Sequence, residues 1–294
     1  MHNPSVDPAI TKFWKKTLTE LAAVPMGAKV DTLHLALPYR EYKVTLNSLG
    51  NVKIAGLLAI PVQGEAPAKP RPVIVTVPGY GGNQQGIMLS ECQRGYAILQ
   101  VFPRGQGLSE AFWKVPGGDK LTMELNHPDG SYYQGAYADV IRMIDFVVSR
   151  PDIMDSGRIA LVGTSQGGGI SLAVAALDPR IKTVVAHVPF LCNFQMAAHL
   201  PSLVKRLLDR AGKNNQHALN TLAYFDPYQL APLLQVPVLM SCGGKDRTCP
   251  WQTIQSVYNR ISSTKEIKFY PNLTHTSCED FYLQTWHWLN HYLQ

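Results

Sequence analysis

The sequence predicts an α/β protein in which a mostly parallel central sheet is covered by helices on both faces. Six short apolar, β-branched runs have the length of strands: 72–77, 96–102, 158–163, 181–188, 237–242 and 266–270. Segments in which apolar residues recur at helical spacing lie between these runs and after the last: 137–150, 168–177, 253–261 and 279–293. Strands that are apolar throughout and alternate with helices are typical of a parallel sheet buried on both faces.

The N-terminal part of the chain has elements of a different kind. Apolar residues recur at helical spacing over about residues 8–23, which predicts an amphipathic helix. Two strand-like runs, 39–48 and 52–61, flank Leu49-Gly50-Asn51 and predict a β-hairpin with a Gly-Asn turn. We assign the helix and hairpin, about residues 8–62, to the same single domain as the sheet, spanning 1–294.

The segment from about 190 to 234 interrupts the alternation of strands and helices. It contains helical patterns such as 201–212 and lies between two predicted strands. We interpret it as a helical cap inserted into the domain. Its apolar side chains are expected either to pack the cap onto the sheet or to shape a substrate pocket: Phe190, Phe194, Met196, Leu200 and Leu203.

Composition and charge argue against several classes of function. The 294 residues carry a net charge of +6 with no concentrated basic cluster, so nucleic-acid binding is not expected. The N-terminus lacks a signal-like apolar core and no apolar run has the length of a membrane span, which predicts a cytoplasmic protein with no membrane partner. The five cysteines are widely spaced without a C-x-x-C pair, so no disulfide framework or metal site is predicted.

The stretch Gly163-Thr164-Ser165-Gln166-Gly167 has the pattern G-x-S-x-G. A predicted strand precedes it and a predicted helix follows, which is the setting that makes this pattern typical of a nucleophile on a sharp turn. Small residues at Gly163 and Gly167 allow strand and helix to approach closely. The pattern therefore predicts an exposed nucleophilic hydroxyl on Ser165.

A serine nucleophile needs a base, and the base needs an orienting acid. In this type of fold the acid and the histidine follow the serine in the chain, each after a later strand. Asp246 follows the strand at 237–242, and His275 follows the last strand. His187 also lies near a strand end, but it precedes the acid in the chain and is set aside. No cofactor or metal is needed for this chemistry.

The developing oxyanion requires two hydrogen-bond donors. One is predicted to be the backbone amide of Gln166, which directly follows the nucleophile. The other is expected in the loop after the strand at 72–77, where glycines flank Tyr80 and allow the backbone to turn inward.

Several motifs together resemble one family, the acetyl xylan esterases and cephalosporin C deacetylases of carbohydrate esterase family seven. The R-G-Q-G stretch stands at Arg104-Gly105-Gln106-Gly107, the G-x-S-Q-G-G elbow at 163–168, and a D-x-x-C-P segment begins at Asp246. Phe13-Trp14 and the segment 221–234 also resemble the family. The resemblance covers most of the chain.

The resemblance implies an α/β-hydrolase fold and serine-dependent removal of acetyl groups from small acetylated sugars or related esters. It implies the triad Ser165, Asp246 and His275, with amide donors at Tyr80 and Gln166. Arg104 and Gln106 are implied to be structural, bracing the loop beside the elbow. It further implies a homo-oligomer, often a hexamer.

The chain departs from the family pattern at two positions, and two alternative functions remain open. Thr276 follows the histidine where the family usually has glutamate, and Gln134 stands where it tends to have arginine. A thioesterase, lactonase or peptidase would use the same triad, while a non-catalytic binding protein would be expected to have lost it. Cys249 and Cys278 each lie three residues beyond a triad member; packing in the interior is expected for both, with a place beside the site as the alternative.

Overall fold

The computed structural model of the chain describes residues 5–35, 38–62, 69–82 and 85–294. Within them lie nine strands: β1 Lys29–His34, β2 Tyr39–Asn47, β3 Lys53–Pro61, β4 Arg71–Val77, β5 Ala97–Phe102, β6 Met154–Thr164, β7 Ile181–His187, β8 Val238–Gly243 and β9 Lys265–Tyr270. The helices in the same residues are α1 Pro8–Ala23, α2 Tyr132–Val148, α3 Gln166–Leu177, α4 Phe194–Ala197, α5 Leu203–Arg210, α6 Gln216–Leu222, α7 Pro227–Leu230, α8 Trp251–Arg260 and α9 Glu279–Leu293.

The strands form one mixed sheet in the order β1-β2-β3-β5-β4-β6-β7-β8-β9. All neighbours from β5 to β9 in this order pair in parallel, whereas β1, β2 and β3 are antiparallel to their neighbours. The mixed sheet with helices on both faces confirms the predicted fold class. It places the ends of β4, β6, β8 and β9 at one edge, where ligands of such sheets bind.

The helices divide the protein interior into two layers, one on each face of the sheet. Val73 and Val75 of β4 belong to the core on one face, together with residues of α1, α2, α3 and α8. Ile74, between them, belongs to the core on the other face, together with residues of α9. This alternation explains why the strands are apolar throughout, since both of their faces are buried.

Two elements differ from what the sequence pattern predicts. α2 begins at Tyr132, five residues before the predicted start, because Tyr132, Tyr133 and the residues after them are buried on every side and show no polar stripe. β1 was not predicted, because its residues are mostly exposed and carry no alternating apolar pattern. It pairs with β2 at the edge of the sheet.

The cap segment consists of short helices, α4 to α7, and it is held to the body of the domain. Phe194 and Phe225 are fully buried. The indole of Trp14 on α1 donates to the carbonyl of Tyr224 at 2.8 Å, and the hydroxyl of Tyr137 on α2 donates to the carbonyl of Phe225 at 2.6 Å. The cap therefore packs against the two helices that precede the nucleophile in the chain.

Among the described residues, no helix combines the length and the apolarity that crossing a bilayer requires.

Candidate active site

Ser165 lies at the turn between β6 and α3 in a strained backbone conformation, with φ 57° and ψ −120°. The surrounding backbone holds it there, since its N–H donates to the carbonyl of His187 at 2.9 Å and its carbonyl accepts from Phe190 at 2.8 Å. A Cβ on Gly163 would lie 2.2 Å from the backbone of Gly167, and one on Gly167 would lie 2.0 Å from the carbonyl oxygen of Val77. The two glycines therefore allow the strand to fold back directly into the helix.

The structure brings Ser165, His275 and Asp246 into one hydrogen-bonded chain. His275 Nε2 lies 2.9 Å from Ser165 Oγ, and His275 Nδ1 lies 2.7 Å from Asp246 Oδ2. The other carboxylate oxygen, Oδ1, accepts from the amides of Thr248 at 2.7 Å and Cys249 at 2.8 Å. The acid is thus buried and fully hydrogen-bonded, and it holds the imidazole with Nδ1–H toward itself and Nε2 free to take a proton.

Contacts between neighbouring loops explain why residues so far apart in the chain meet. Asp246 follows β8 and His275 follows β9, and these two strands are adjacent in the sheet. The amide of Lys245 donates to the carbonyl of Leu273 at 3.0 Å, which joins the two loops.

The two predicted oxyanion donors lie on segments that a single side chain connects. Gln106 Nε2 donates to the carbonyls of Gly79 at 2.8 Å and Gly82 at 3.3 Å, on either side of Tyr80. Its Oε1 accepts from the side chain of Gln166 at 2.8 Å. The amide of Gln166 is also the first in α3, where no intrahelical carbonyl is within reach. These contacts support the predicted placement of two donors near Ser165.

Arg104 does not line the cavity and is instead paired with a buried acid. Its guanidinium donates twice to the carboxylate of Asp139 on α2, at 2.8 and 3.0 Å, and its backbone amide donates at 2.8 Å. The Asp139 side chain is fully buried. The hydroxyl of Tyr132 bonds to the carbonyl of Arg104 and to Gln106. Arg104 therefore anchors the loop that carries Gln106.

A cavity of about 800 Å³ opens beside Ser165 and His275. Of the cap residues expected to shape a pocket, Leu203 lines this cavity, whereas Phe190 and Phe194 are buried in the core. Met196 is exposed to 36% and does not line it. The loop after β9 and the first turns of α9 form one part of the remaining wall, which the sequence pattern did not indicate, and the segment after β4 forms another.

His187, which the chain order set aside, also lies in this wall. Its Nε2 lies 3.2 Å from the carbonyl of Thr276, and its Nδ1 lies 2.6 Å from Ser241 Oγ. Because a carbonyl only accepts, Nε2 carries the hydrogen and Nδ1 accepts from Ser241. Burial lowers the pKa of His187 to about 4, so the ring is neutral near neutral pH. His187 therefore holds Thr276, the residue after His275, in place. The sequence indicated this role only by placing His187 at the end of β7.

The two cysteines near the site differ in their surroundings. Cys249 is buried, as expected, but Cys278 is partly exposed and lines the cavity, which corrects the expectation of interior packing. Ligand atoms of Asp246, Cys249 and His275 lie within 4.8 Å of one another, a spacing that could suit a metal. Two of these residues already bond to each other, and burial raises the pKa of the Cys249 thiol well above its usual value. Asp246 and His275 are therefore arranged for proton transfer, and the protonated Cys249 thiol is poorly suited to metal ligation, which needs a thiolate.

Known proteins resemble this chain over almost its full length. Residues 3–292 match the family model described as Acetyl xylan esterase (AXE1). The acetyl esterase Axe7A of Xylanibacter ruminicola is 35% identical over 92% of this chain, and the chain covers 64% of that relative's length.

Two solved structures are similar over nearly their full length. The acetyl xylan esterase from Paenibacillus sp. R4 has a TM-score of 0.88 and 29% identity, covering 99% of this chain and 97% of its own. Acetyl xylan esterase 1 from Thermoanaerobacterium sp. JW/SL YS485 has a TM-score of 0.85 and 24% identity, covering 100% and 96%, and shows the common fold. With a strained serine on a strand–helix turn and a family match over almost all of its residues, the chain belongs to the acetyl xylan esterase family.

Proposed function

We propose that this chain is a serine esterase that removes acetyl, or another short acyl group, from small acetylated sugars or related esters. The hydrogen-bonded chain from Ser165 through His275 to Asp246 is the observation that carries the proposal. Two relatives, an acetyl esterase that is 35% identical and an acetyl xylan esterase that is 29% identical, support acetyl as the acyl group. Acetylated cephalosporin cores fall within the same class of reaction.

The geometry allows a two-step mechanism. His275 Nε2 takes the proton of Ser165 as Oγ forms a bond to the ester carbonyl carbon, and the amides of Gln166 and Tyr80 stabilise the oxyanion. The ester C–O bond then breaks, and His275 returns the proton to the departing alcohol. Water attacks the acyl-enzyme by the same route and releases the carboxylic acid. Asp246 stabilises the imidazolium in both steps.

Replacement of Ser165 by Ala tests the proposal directly. Hydrolysis of p-nitrophenyl acetate by purified S165A should fall by roughly 10⁶ in kcat, the loss found when a triad nucleophile is removed. An unchanged rate would refute the assignment. A series of nitrophenyl esters with longer acyl chains separates the alternatives: rates falling beyond acetyl support a deacetylase, and rising rates favour a thioesterase or another long-acyl hydrolase on the same triad.

A further inference from the structure

The cavity beside Ser165 continues along the first turns of α9 and is larger than an acetyl group requires. Its volume of about 800 Å³ falls in the range of roughly 300–1,000 Å³ that is usual for pockets holding drug-sized ligands. Ser165 and His275 lie in its wall together with Tyr282 and Thr285 of α9. The volume beyond the acyl group is available to the alcohol part of the ester.

The mechanism determines on which side of Ser165 the alcohol lies. His275 must deliver its proton to the leaving oxygen, so that oxygen has to come within hydrogen-bond reach of Nε2. The carbonyl oxygen points the other way, toward the amides of Gln166 and Tyr80. The alcohol therefore extends along the side of the cavity that His275 occupies.

The chain just after His275 forms the wall on this side. Thr276, Ser277 and Glu279 line the cavity, and Tyr282 follows one helical turn after Glu279. The carbonyl of Thr276 is tied to the buried ring of His187, which fixes this wall relative to the base. An alcohol leaving through His275 thus meets hydroxyl groups, a carboxylate and an aromatic ring.

Glu279 and Tyr282 give this wall its chemical character. Among the described residues that line the cavity, Glu279 carries the formal charge at neutral pH, and its carboxylate has no hydrogen-bond or ion-pair partner among the residues that the structure describes. The Tyr282 ring is exposed to 38%, its hydroxyl donates to Glu91, and its ring packs edge-on against Trp286 with centroids 6.4 Å apart. Tyr282 is therefore held as a fixed, accessible aromatic surface.

We infer that Glu279 and Tyr282 form a subsite for the alcohol part of the ester, and that this subsite favours neutral sugars over alcohols that carry a carboxylate, the cephalosporin cores included. The inference rests on the proposed esterase function and deepens it. The C–H face of a sugar packs on the Tyr282 ring, and its hydroxyl groups donate to the open carboxylate of Glu279. An alcohol that carries a carboxylate is repelled by Glu279, since no Lys or Arg lies among the described lining residues.

The test compares kcat/KM for two acetyl esters that share the acyl group. The first is acetylated xylose, and the second is ethyl acetate, whose two-carbon alcohol offers neither a ring to Tyr282 nor a further hydroxyl to Glu279; acetate release is measured for both. Tyr282→Leu keeps most of the bulk and removes the ring, and it should lower kcat/KM for acetylated xylose by roughly threefold to tenfold, mainly through KM, as expected for one lost aromatic contact. Ethyl acetate hydrolysis should stay within about twofold of the wild type, since its alcohol makes no such contact.

Glu279→Gln tests the charge of the subsite. The variant should lower the ratio of kcat/KM for acetylated xylose to kcat/KM for acetylated glucuronic acid by about threefold at low salt. This effect should shrink as added salt screens the carboxylate of Glu279 in the wild type. Leu283→Ala is the matched control, because Leu283 lies on the same helix turn, is exposed to 50% and does not line the cavity. Leu283→Ala should leave unchanged the kcat/KM of acetylated xylose relative to ethyl acetate and relative to acetylated glucuronic acid.

The outcomes separate the subsite from the esterase function. If the Tyr282 and Glu279 variants alter all esters equally, or alter none, the subsite is wrong while the esterase stands. If the wild type hydrolyses these esters no faster than S165A, the proposed function fails and the subsite fails with it.

Discussion

Replacing the buried His187 by Gln should remove part of the acid sensitivity of the fold. The ring is 6% exposed, and burial lowers its pKa from 6.5 to about 4. The unfolded chain therefore takes up a proton at this residue at a higher pH than the folded protein does. As the pH falls below 6.5, the folded state binds fewer protons than the unfolded state and becomes less stable.

The size of the effect follows from the two pKa values. A drop from 6.5 to about 4 corresponds to a full effect of about 3 kcal/mol, at about 1.4 kcal/mol per pKa unit. About 2 kcal/mol of this should be lost from the free energy of unfolding between about pH 7 and about pH 4.5. Gln does not titrate, and its side-chain amide can still donate to the carbonyl of Thr276.

Urea unfolding at several pH values measures this difference. The wild type should lose about 2 kcal/mol more than H187Q over that pH range, whatever constant offset the lost contact with Ser241 adds. His287→Gln, an exposed histidine on α9, is the control and should follow the wild type. Parallel pH profiles for the wild type and H187Q would refute the view that His187 is held neutral by burial.

Two further predictions concern the residues that brace the site. Arg104→Met leaves the carboxylate of Asp139 buried without its counter-charge, and it should lower the free energy of unfolding in urea by about 3–5 kcal/mol. The double variant R104M/D139L should recover much of this loss, because no unpaired charge remains buried. Equal losses in the single and double variants would contradict the buried pair. Gln106→Ala frees the turn that carries Tyr80 and should lower kcat for p-nitrophenyl acetate by roughly tenfold to a hundredfold with little change in KM, as expected when a donor is misplaced by about 1 Å. A folded Q106A enzyme with wild-type kcat would show that the turn holds its position without Gln106.

The nucleophile and the strands could be predicted because their signals are local. A β-branched run followed by G-x-S-x-G and a helical pattern describes a sharp strand–helix turn within about a dozen consecutive residues of sequence. Asp246 and His275 could be predicted from chain order, since parallel strands bring their carboxyl ends to one edge. The structure links the three side chains by two hydrogen bonds, one between Ser165 and His275 and one between His275 and Asp246.

Other features depend on contacts between distant segments and left no local pattern. The start of α2 was missed because its tyrosines are covered on all sides by other elements. His187 contacts a residue 89 positions later in the chain, so its role at the base loop could not be predicted from its neighbours. Phe190 and Phe194 were candidates for a pocket, but whether an apolar side chain lines a cavity or fills the core depends on what packs against it.

The sequence by itself determined the fold class, the elbow at Ser165 and the order in which acid and base follow it. Hydrophobic periodicity and glycine placement are properties of neighbouring residues, and chain order can be read directly from the sequence. None of the three depends on which segments meet after folding. Only the tertiary structure decided which walls surround the nucleophile, because burial and hydrogen-bond partners are set by segments that meet after folding. For this reason the sequence pattern of α9 indicated a helix but not that its first turns line the cavity beside Ser165.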